Sequence, residues 1–285
     1  MLQIRSRDEL SLALPPDRTR AVVMTMGSLH EGHAQLIDAA RREVGPAGHV
    51  LVTIFVNPTQ FGPQEDLDAY PRDEAADLDV CLRRGADAVY LPAVSDLYGS
   101  VADPSEAITV DPGPLGLRWE GEARPTHFRG VLTVVSKLLH TCRPDVAVFG
   151  EKDYQQLTLV RRMVDQLDFG VRIVGEPTAR DGDGLALSSR NVYLDAGQRS
   201  LAAYLPRALG AGAEAARAGA DADVVGETVE RVLREGDGLS VDYVVVTDPE
   251  MGEDPGHGPA RILAAVRVGS TRLLDNIDIE LLDVA

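Results

Sequence analysis

Apolar runs too continuous for a half-solvated strand alternate with amphipathic helical patterns through the first two-thirds of the chain. Residues 21–24, 50–56, 88–91, 146–149 and 171–174 are such runs. Residues 34–42 read as a helix, and residues 73–84 carry Leu78 and Leu82 at i, i+4. Residues 131–139 line Val134, Val135 and Leu138 along one face, and residues 154–167 space Leu157, Val160, Val164 and Leu167 helically. A strand with no polar side is buried on both faces, which a parallel sheet covered by helices provides. The alternation predicts a doubly wound α/β domain. Beyond about residue 178 the order changes. Residues 196–217 and 223–235 read as helices, followed by short strands at 241–246, 260–268, 272–274 and 277–281. Strands that follow helices instead of alternating with them predict a smaller α+β domain. The expected domains are 1–178 and 179–285.

A chain of 285 residues has room for both. Its formal net charge of -17 argues against nucleic acid or an anionic membrane as partner, since those contacts need clustered cations. It also means that any phosphate substrate must be held locally, by Lys, Arg, His and backbone N–H groups, against a repulsive background. Cys81 and Cys142 have no metal or redox spacing and read as idle thiols in a reducing compartment. The N-terminus carries no signal-peptide core, and the apolar run at 50–56 is far short of the about 20 residues that span a bilayer. The expectation is a soluble cytoplasmic protein.

Ligands of doubly wound sheets bind beyond the carboxyl ends of the strands. After the first apolar run comes Thr25-Met26-Gly27-Ser28-Leu29-His30-Glu31-Gly32-His33. It places a glycine turn and a histidine pair where a helix begins. Unbonded N–H groups and the positive dipole end make that a seat for phosphate, and imidazoles at i, i+3 face the same way. Neither Gly-x-Gly-x-x-Gly nor a Gly-Lys-Ser/Thr loop occurs here. Surface histidines or half of a metal site are the competing readings.

After the second run, Asn57 and Gln60 offer neutral donors and acceptors suited to orienting a hydroxy acid, or form an ordinary Asn-Pro turn. After the fourth come Gly150-Glu151-Lys152-Asp153 and, one turn on, Gln156. Lys152 sits at a helix start, where the dipole disfavours a cation, so phosphate binding explains it better than structure does. The fifth run leads to Asp181-Gly182-Asp183-Gly184 and then Leu187-Ser188-Ser189-Arg190, which reads either as a polyphosphate clamp on a hinged loop or as a capping loop. His127, in Arg124-Pro125-Thr126-His127-Phe128, is a structural histidine or a ligand contact.

Together these segments resemble the pantothenate synthetase family, the pantoate–β-alanine ligases that use ATP. The resemblance rests on Thr25-Met26-Gly27 with His30, Gly32 and His33; Phe55-Val56-Asn57-Pro58 with Gln60-Phe61; and, loosely, the stretch from Asp68 to Arg72. It continues through Arg124-Pro125 with His127-Phe128 and Gly130-Val131, Phe149 to Asp153 with Gln155-Gln156-Leu157, and Asp183 to Ala186 with Ser188 to Asn191. These blocks occur in order over most of the N-terminal two-thirds. The C-terminal third adds a weaker match from Thr271 to Asn276.

The resemblance implies a Rossmann-like nucleotidyltransferase domain, residues 1–178, holding ATP and pantoate, and a small domain, residues 179–285, that closes over the nucleotide. The implied reaction condenses pantoate with β-alanine through a pantoyl adenylate, releasing pyrophosphate and AMP. Met26, Gly27, Ser28, Leu29, His30, Glu31, Gly32 and His33 would hold ATP, with His33 as proton donor and His30 on the phosphates. Gly150, Glu151, Lys152 and Asp153 would hold ribose and phosphates, Ala179 the adenine, and Leu187, Ser188, Ser189 and Arg190 the triphosphate. Gln60, Gln156 and Asn57 would bind substrate, with Gln60 and Gln156 on pantoate and Gln60 also near β-alanine. His30, His33, Lys152 and Arg190 would stabilise developing charge. A homodimer and Mg2+ are also implied. The sequence does not reveal the magnesium ligands, and Asp77 is a candidate on residue type alone. The competing functions are another nucleotidyltransferase of this superfamily and a non-catalytic ATP-binding module.

Overall fold

The structure, a computed structural model, describes every residue except 63–66, 68–69, 100, 102, 104–105, 253–254 and 284–285. Asp68 of the resembling blocks, and Glu253 and Asp254 of the loop after Met251, lie outside the described residues. Two compact units emerge, Met1–Glu151 with Leu159–Pro177, and Lys152–Thr158 with Thr178–Ala285.

The first unit is built on a six-stranded sheet of β1 (Leu2–Ile4), β2 (Arg20–Thr25), β3 (His49–Ile54), β4 (Ala88–Tyr90), β5 (Val146–Gly150) and β6 (Arg172–Glu176). Every pairing is parallel, in the order β1-β4-β3-β2-β5-β6. Ala21, Val23, Val50, Val52, Val146 and Val148 share one core cluster with Ile37, Ala40 and Cys81. The alternate residues Val22, Leu51 and Ala147 are equally buried, so the strands are covered on both faces. The expected doubly wound domain is present. The sequence reading missed β1, whose Leu2 and Gln3 are exposed and leave only Ile4 as an inward apolar residue.

Among the helices are α1 (Arg7–Ala13), α2 (Glu31–Val44), α3 (Glu74–Arg83), α4 (Val94–Tyr98), α5 (Glu120–Ala123), α6 (His127–Cys142) and α7 (Tyr154–Gln166). Strand order reverses between β2 and β5. In their register Val23 faces Val148, so Thr25 and Gly150 end level with one another. That reversal is where doubly wound sheets open a crevice. The predicted phosphate segments leave from these two strand ends.

The second unit has α8 (Ala196–Ala202), α9 (Tyr204–Arg217), α10 (Ala222–Arg234) and an antiparallel sheet of β7 (Leu239–Thr247), β8 (Gly258–Val268) and β9 (Thr271–Leu281). Leu205, Leu209, Val225, Val229 and Leu233 pack with Ile262, Ala264 and Val266. A Cβ at Gly212 would stand 2.5 Å from Val229 and 2.8 Å from Ile262, so glycine lets α9 approach this closely. The sequence reading ran one helix from 196 to 217. The chain breaks at Ala203, because the ring of Pro206 cannot follow a helical carbonyl at Ala202. It also read two strands at 272–274 and 277–281, which are one strand, β9. The intervening Asp275 and Asn276 are 1% and 3% exposed instead of forming a turn.

Candidate active site

In the first unit the loop after β2 turns through two left-handed residues, Gly27 (φ 84°) and Ser28 (φ 53°). A left-handed serine costs roughly 1–2 kcal/mol. Asp77, on α3 and 3% exposed, offsets this by accepting the Ser28 N–H at 3.0 Å and the Leu29 N–H at 2.7 Å. Two backbone N–H bonds at about 0.5–1.5 kcal/mol each are comparable with that cost, enough to hold the turn. A Cβ at Gly27 would meet Asp77 Oδ2 at 2.9 Å.

The loop delivers His30 as N-cap of α2. His30 Nδ1 accepts the Gly32 N–H at 3.2 Å, and His33 Nδ1 accepts the His30 N–H at 3.3 Å, a capping box made of imidazoles. The rings lie 4.2 Å apart. With Nδ1 accepting, each ring carries its proton on Nε2 and is a donor there. Glu31, in the first turn, pairs with Arg84 on the surface.

Asn57 and Gln60 follow β3 on a 3-10 turn, Pro58–Gln60. Asn57 is 1% exposed, and its amide is fully engaged. It donates to Gln60 Oε1 at 3.1 Å and to the Gly130 carbonyl at 3.2 Å, and accepts from Tyr98 at 2.7 Å. Gln60 Nε2 in turn reaches Met26 Sδ at 2.9 Å. The backbone carbonyl of Gln60 accepts from His127 Nδ1 at 3.0 Å, and Arg124 donates to His127 Nε2 at 3.1 Å. These contacts resolve the ambiguity of His127, which holds the Gln60 turn. A Cβ at Gly130 would lie 2.3 Å from the Thr59 carbonyl, so only glycine lets α6 pack here. Sequence reasoning missed Tyr98, which carried no motif signal.

The first unit thus gathers Met26 to His33, Asn57, Gln60, Gly150 and Glu151. The second holds the other expected residues: Lys152, Asp153, Gln156, Ala179, Leu187, Ser188, Ser189 and Arg190. Lys152 ends up 3.7 Å from the Asp153 carboxylate. Ala179 and Leu187 close a hairpin stem, with the Leu187 N–H donating to the Ala179 carbonyl at 2.9 Å. Arg199 pins the hairpin tip through Asp181 and Asp183, holding Asp183 down to about 2. Ser188 caps the 3-10 turn Ser189–Tyr193 by accepting the Arg190 N–H.

Among the described residues no group of three or more His, Cys, Asp or Glu side chains is placed to hold a metal ion. Asp77 has both oxygens engaged by backbone N–H groups. Its donor set is that of a loop clasp and does not fit a magnesium cage, which takes octahedral oxygen ligands.

Asp77→Ala should loosen this turn and lower kcat/KM for ATP roughly tenfold to a hundredfold, since small misplacements at a reacting centre cost that much. Unchanged kcat/KM in the folded variant would exclude the clasp. Burial pushes the Asp77 carboxyl above its usual range, and the Leu29 and Ser28 N–H groups pull it back. A raised folded value means that stability from the protonated form is lost as pH rises from the unfolded value through the folded one. The stability cost of Asp77→Ala should therefore shrink from acid to neutral pH, read by urea unfolding at both.

The sequence model of the pantoate-beta-alanine ligase family matches residues 4–278. The chain belongs to this family. A pantothenate synthetase of Salinispora arenicola is 54% identical over 92% of this chain and 92% of its own. One of Nocardioides sp. is 53% identical over 97% of this chain and 84% of its own. Among solved structures, a pantothenate synthetase from Thermus thermophilus superposes with TM-score 0.91 at 42% identity, over 99% of this chain and 100% of that one. A pantoate-beta-alanine ligase from Francisella tularensis, complexed with beta-gamma ATP and beta-alanine, gives TM-score 0.79 at 29% identity, over 97% of each chain. The chain is accordingly a ligase that forms a carbon–nitrogen bond, and pantothenate is its product.

Proposed function

We propose that the chain activates pantoate with ATP to a pantoyl adenylate and transfers the pantoyl group to β-alanine. A pantoate carboxylate oxygen attacks the α-phosphorus, and the bond to the β-phosphate oxygen breaks, releasing pyrophosphate. The amine of β-alanine then attacks the acyl carbon. The carbon–oxygen bond to the phosphate breaks, AMP leaves, and the amine nitrogen gives up its proton to water. No protein nucleophile is required, so the work is positioning and stabilisation of phosphate charge.

The observation that carries this reading is the imidazole-capped start of α2 beside the oriented amide of Gln60, linked through Met26. One suits phosphate and the other a small hydroxy acid. His30 and His33 serve as Nε2–H hydrogen-bond donors to the phosphate oxygens, and Lys152 and Arg190 as the cations. Met26 to His33, Gly150 to Asp153, Ala179 and Leu187 to Arg190 bind ATP. Gln60 and Gln156 bind pantoate, and Asn57 acts by orienting Gln60. Residues 1–178 supply the ATP and pantoate pocket, and residues 179–285 supply Ala179 and the Leu187 to Arg190 segment. Magnesium enters with the triphosphate, as part of the substrate. A cytoplasmic homodimer is the expected form, supported for compartment by two buried free thiols.

With ATP and pantoate, AMP should appear only when β-alanine is added. Product that retains the nucleotide would mark another nucleotidyltransferase, and no ATP turnover would mark a binding module.

A further inference from the structure

We propose that Asp275 and Asn276 on β9 form a positioning pair that fixes the Lys152 turn and the stem of the Ser188-Ser189-Arg190 segment together. The proposal rests on the reading of Lys152 and Arg190 as phosphate-binding cations. A buried polar pair midway along a strand is costly, and apolar residues of similar volume are often as stable or more so. Stability alone therefore gives little reason for it.

The two residues hold different segments, Asp275 through Arg180 and the Asn276 amide through Lys152. Asp275 receives Arg180 in a forked contact, Nη1 to Oδ2 at 2.5 Å and Nη2 to Oδ1 at 3.0 Å. Arg180 also donates to the Asn276 carbonyl at 3.1 Å and to the Gly184 carbonyl at 3.0 Å, and it bridges Ala186 across the hairpin. That hairpin leads directly into Ser188. Asn276 Nδ2 donates to the Lys152 carbonyl at 2.8 Å. Its Oδ1 accepts from Arg261 at 2.5 Å, and the Arg261 guanidinium lies 3.8 Å from the ring centre of Tyr154, two residues beyond Lys152. Arg261 can only donate, so the amide must turn its NH2 toward Lys152. The Asn276 N–H closes the hub on Asp275 Oδ1 at 2.8 Å. One rigid strand thus sets the backbone of two segments that are distant in sequence.

The test is pyrophosphate exchange with Asn276→Ala and Asn276→Asp, the latter keeping an acceptor for Arg261 while losing the donor to Lys152. Each should lower kcat/KM for ATP at least about tenfold. The KM for β-alanine in the full reaction and the thermal midpoint should stay close to wild type. Combined with Lys152→Ala, neither should lower exchange further, because Asn276 acts through Lys152. Asp275→Asn combined with Arg190→Ala should be non-additive in the same way. Additive losses, equal losses for both substrates with a lowered thermal midpoint, failure of both Asn276 variants to fold, or wild-type exchange would each overturn the proposal. Wild-type exchange in Lys152→Ala itself would instead overturn the phosphate reading.

Discussion

His33→Ala should slow single-turnover adenylate formation about 100- to 1,000-fold, and Lys152→Ala should do the same. Losing one preorganised donor to developing phosphate charge costs roughly 2.7–4 kcal/mol of barrier. His33 has a structural task as well, accepting the His30 N–H within the capping box. The magnitudes separate the two roles. Losing a cap costs typically about 1 kcal/mol of stability, well short of the expected barrier change. The His33 variant should therefore remain folded in urea titrations while failing in chemistry. Lys152 lies at a 3-10 turn ahead of α7, where the helix dipole gives a cation no advantage. Its removal should leave stability nearly untouched. Adenylate formation at wild-type rate in either folded variant would remove that residue from the mechanism.

Labelled pyrophosphate should enter ATP when enzyme, magnesium and pantoate are present without β-alanine, and exchange should vanish when pantoate is omitted. The reason is the order of bond changes. The pantoate carboxylate is the nucleophile of the first half-reaction, and that half-reaction is reversible while pyrophosphate is present. His30 and His33 use Nδ1 to accept backbone N–H groups and carry their protons on Nε2. In that state neither offers a lone pair to phosphorus. Exchange persisting without pantoate would implicate a nucleotidylated side chain. Exchange requiring β-alanine would mean a concerted or strictly ordered ternary step.

The elements carrying the first unit were legible because apolar continuity is a local property. β2, β3 and β5 bury Val22, Leu51 and Ala147 on one face and Val23, Val52 and Val148 on the other, so the stretches 21–24, 50–52 and 146–149 carry no polar residue. β1 was illegible because only Ile4 of its residues is buried. β9 was read as two strands because a buried, hydrogen-bonded Asp-Asn pair has the same letters as a turn.

The sequence by itself determined the alternation of strand and helix, the change from alternating to consecutive elements in the C-terminal third, and the glycine turn with its histidine pair at the start of α2. Each follows from composition and spacing along a short stretch. Only the tertiary structure decided what each polar side chain does. Asp77, a candidate metal ligand by type, spends both oxygens on the Ser28 and Leu29 N–H groups. Asn57 orients Gln60, and His127 holds its carbonyl. Asp275 reaches Arg180 across 95 residues of chain. A hydrogen-bonding group has the same chemistry wherever it stands in the sequence, and its partner is fixed only when the fold removes water and leaves one group within reach.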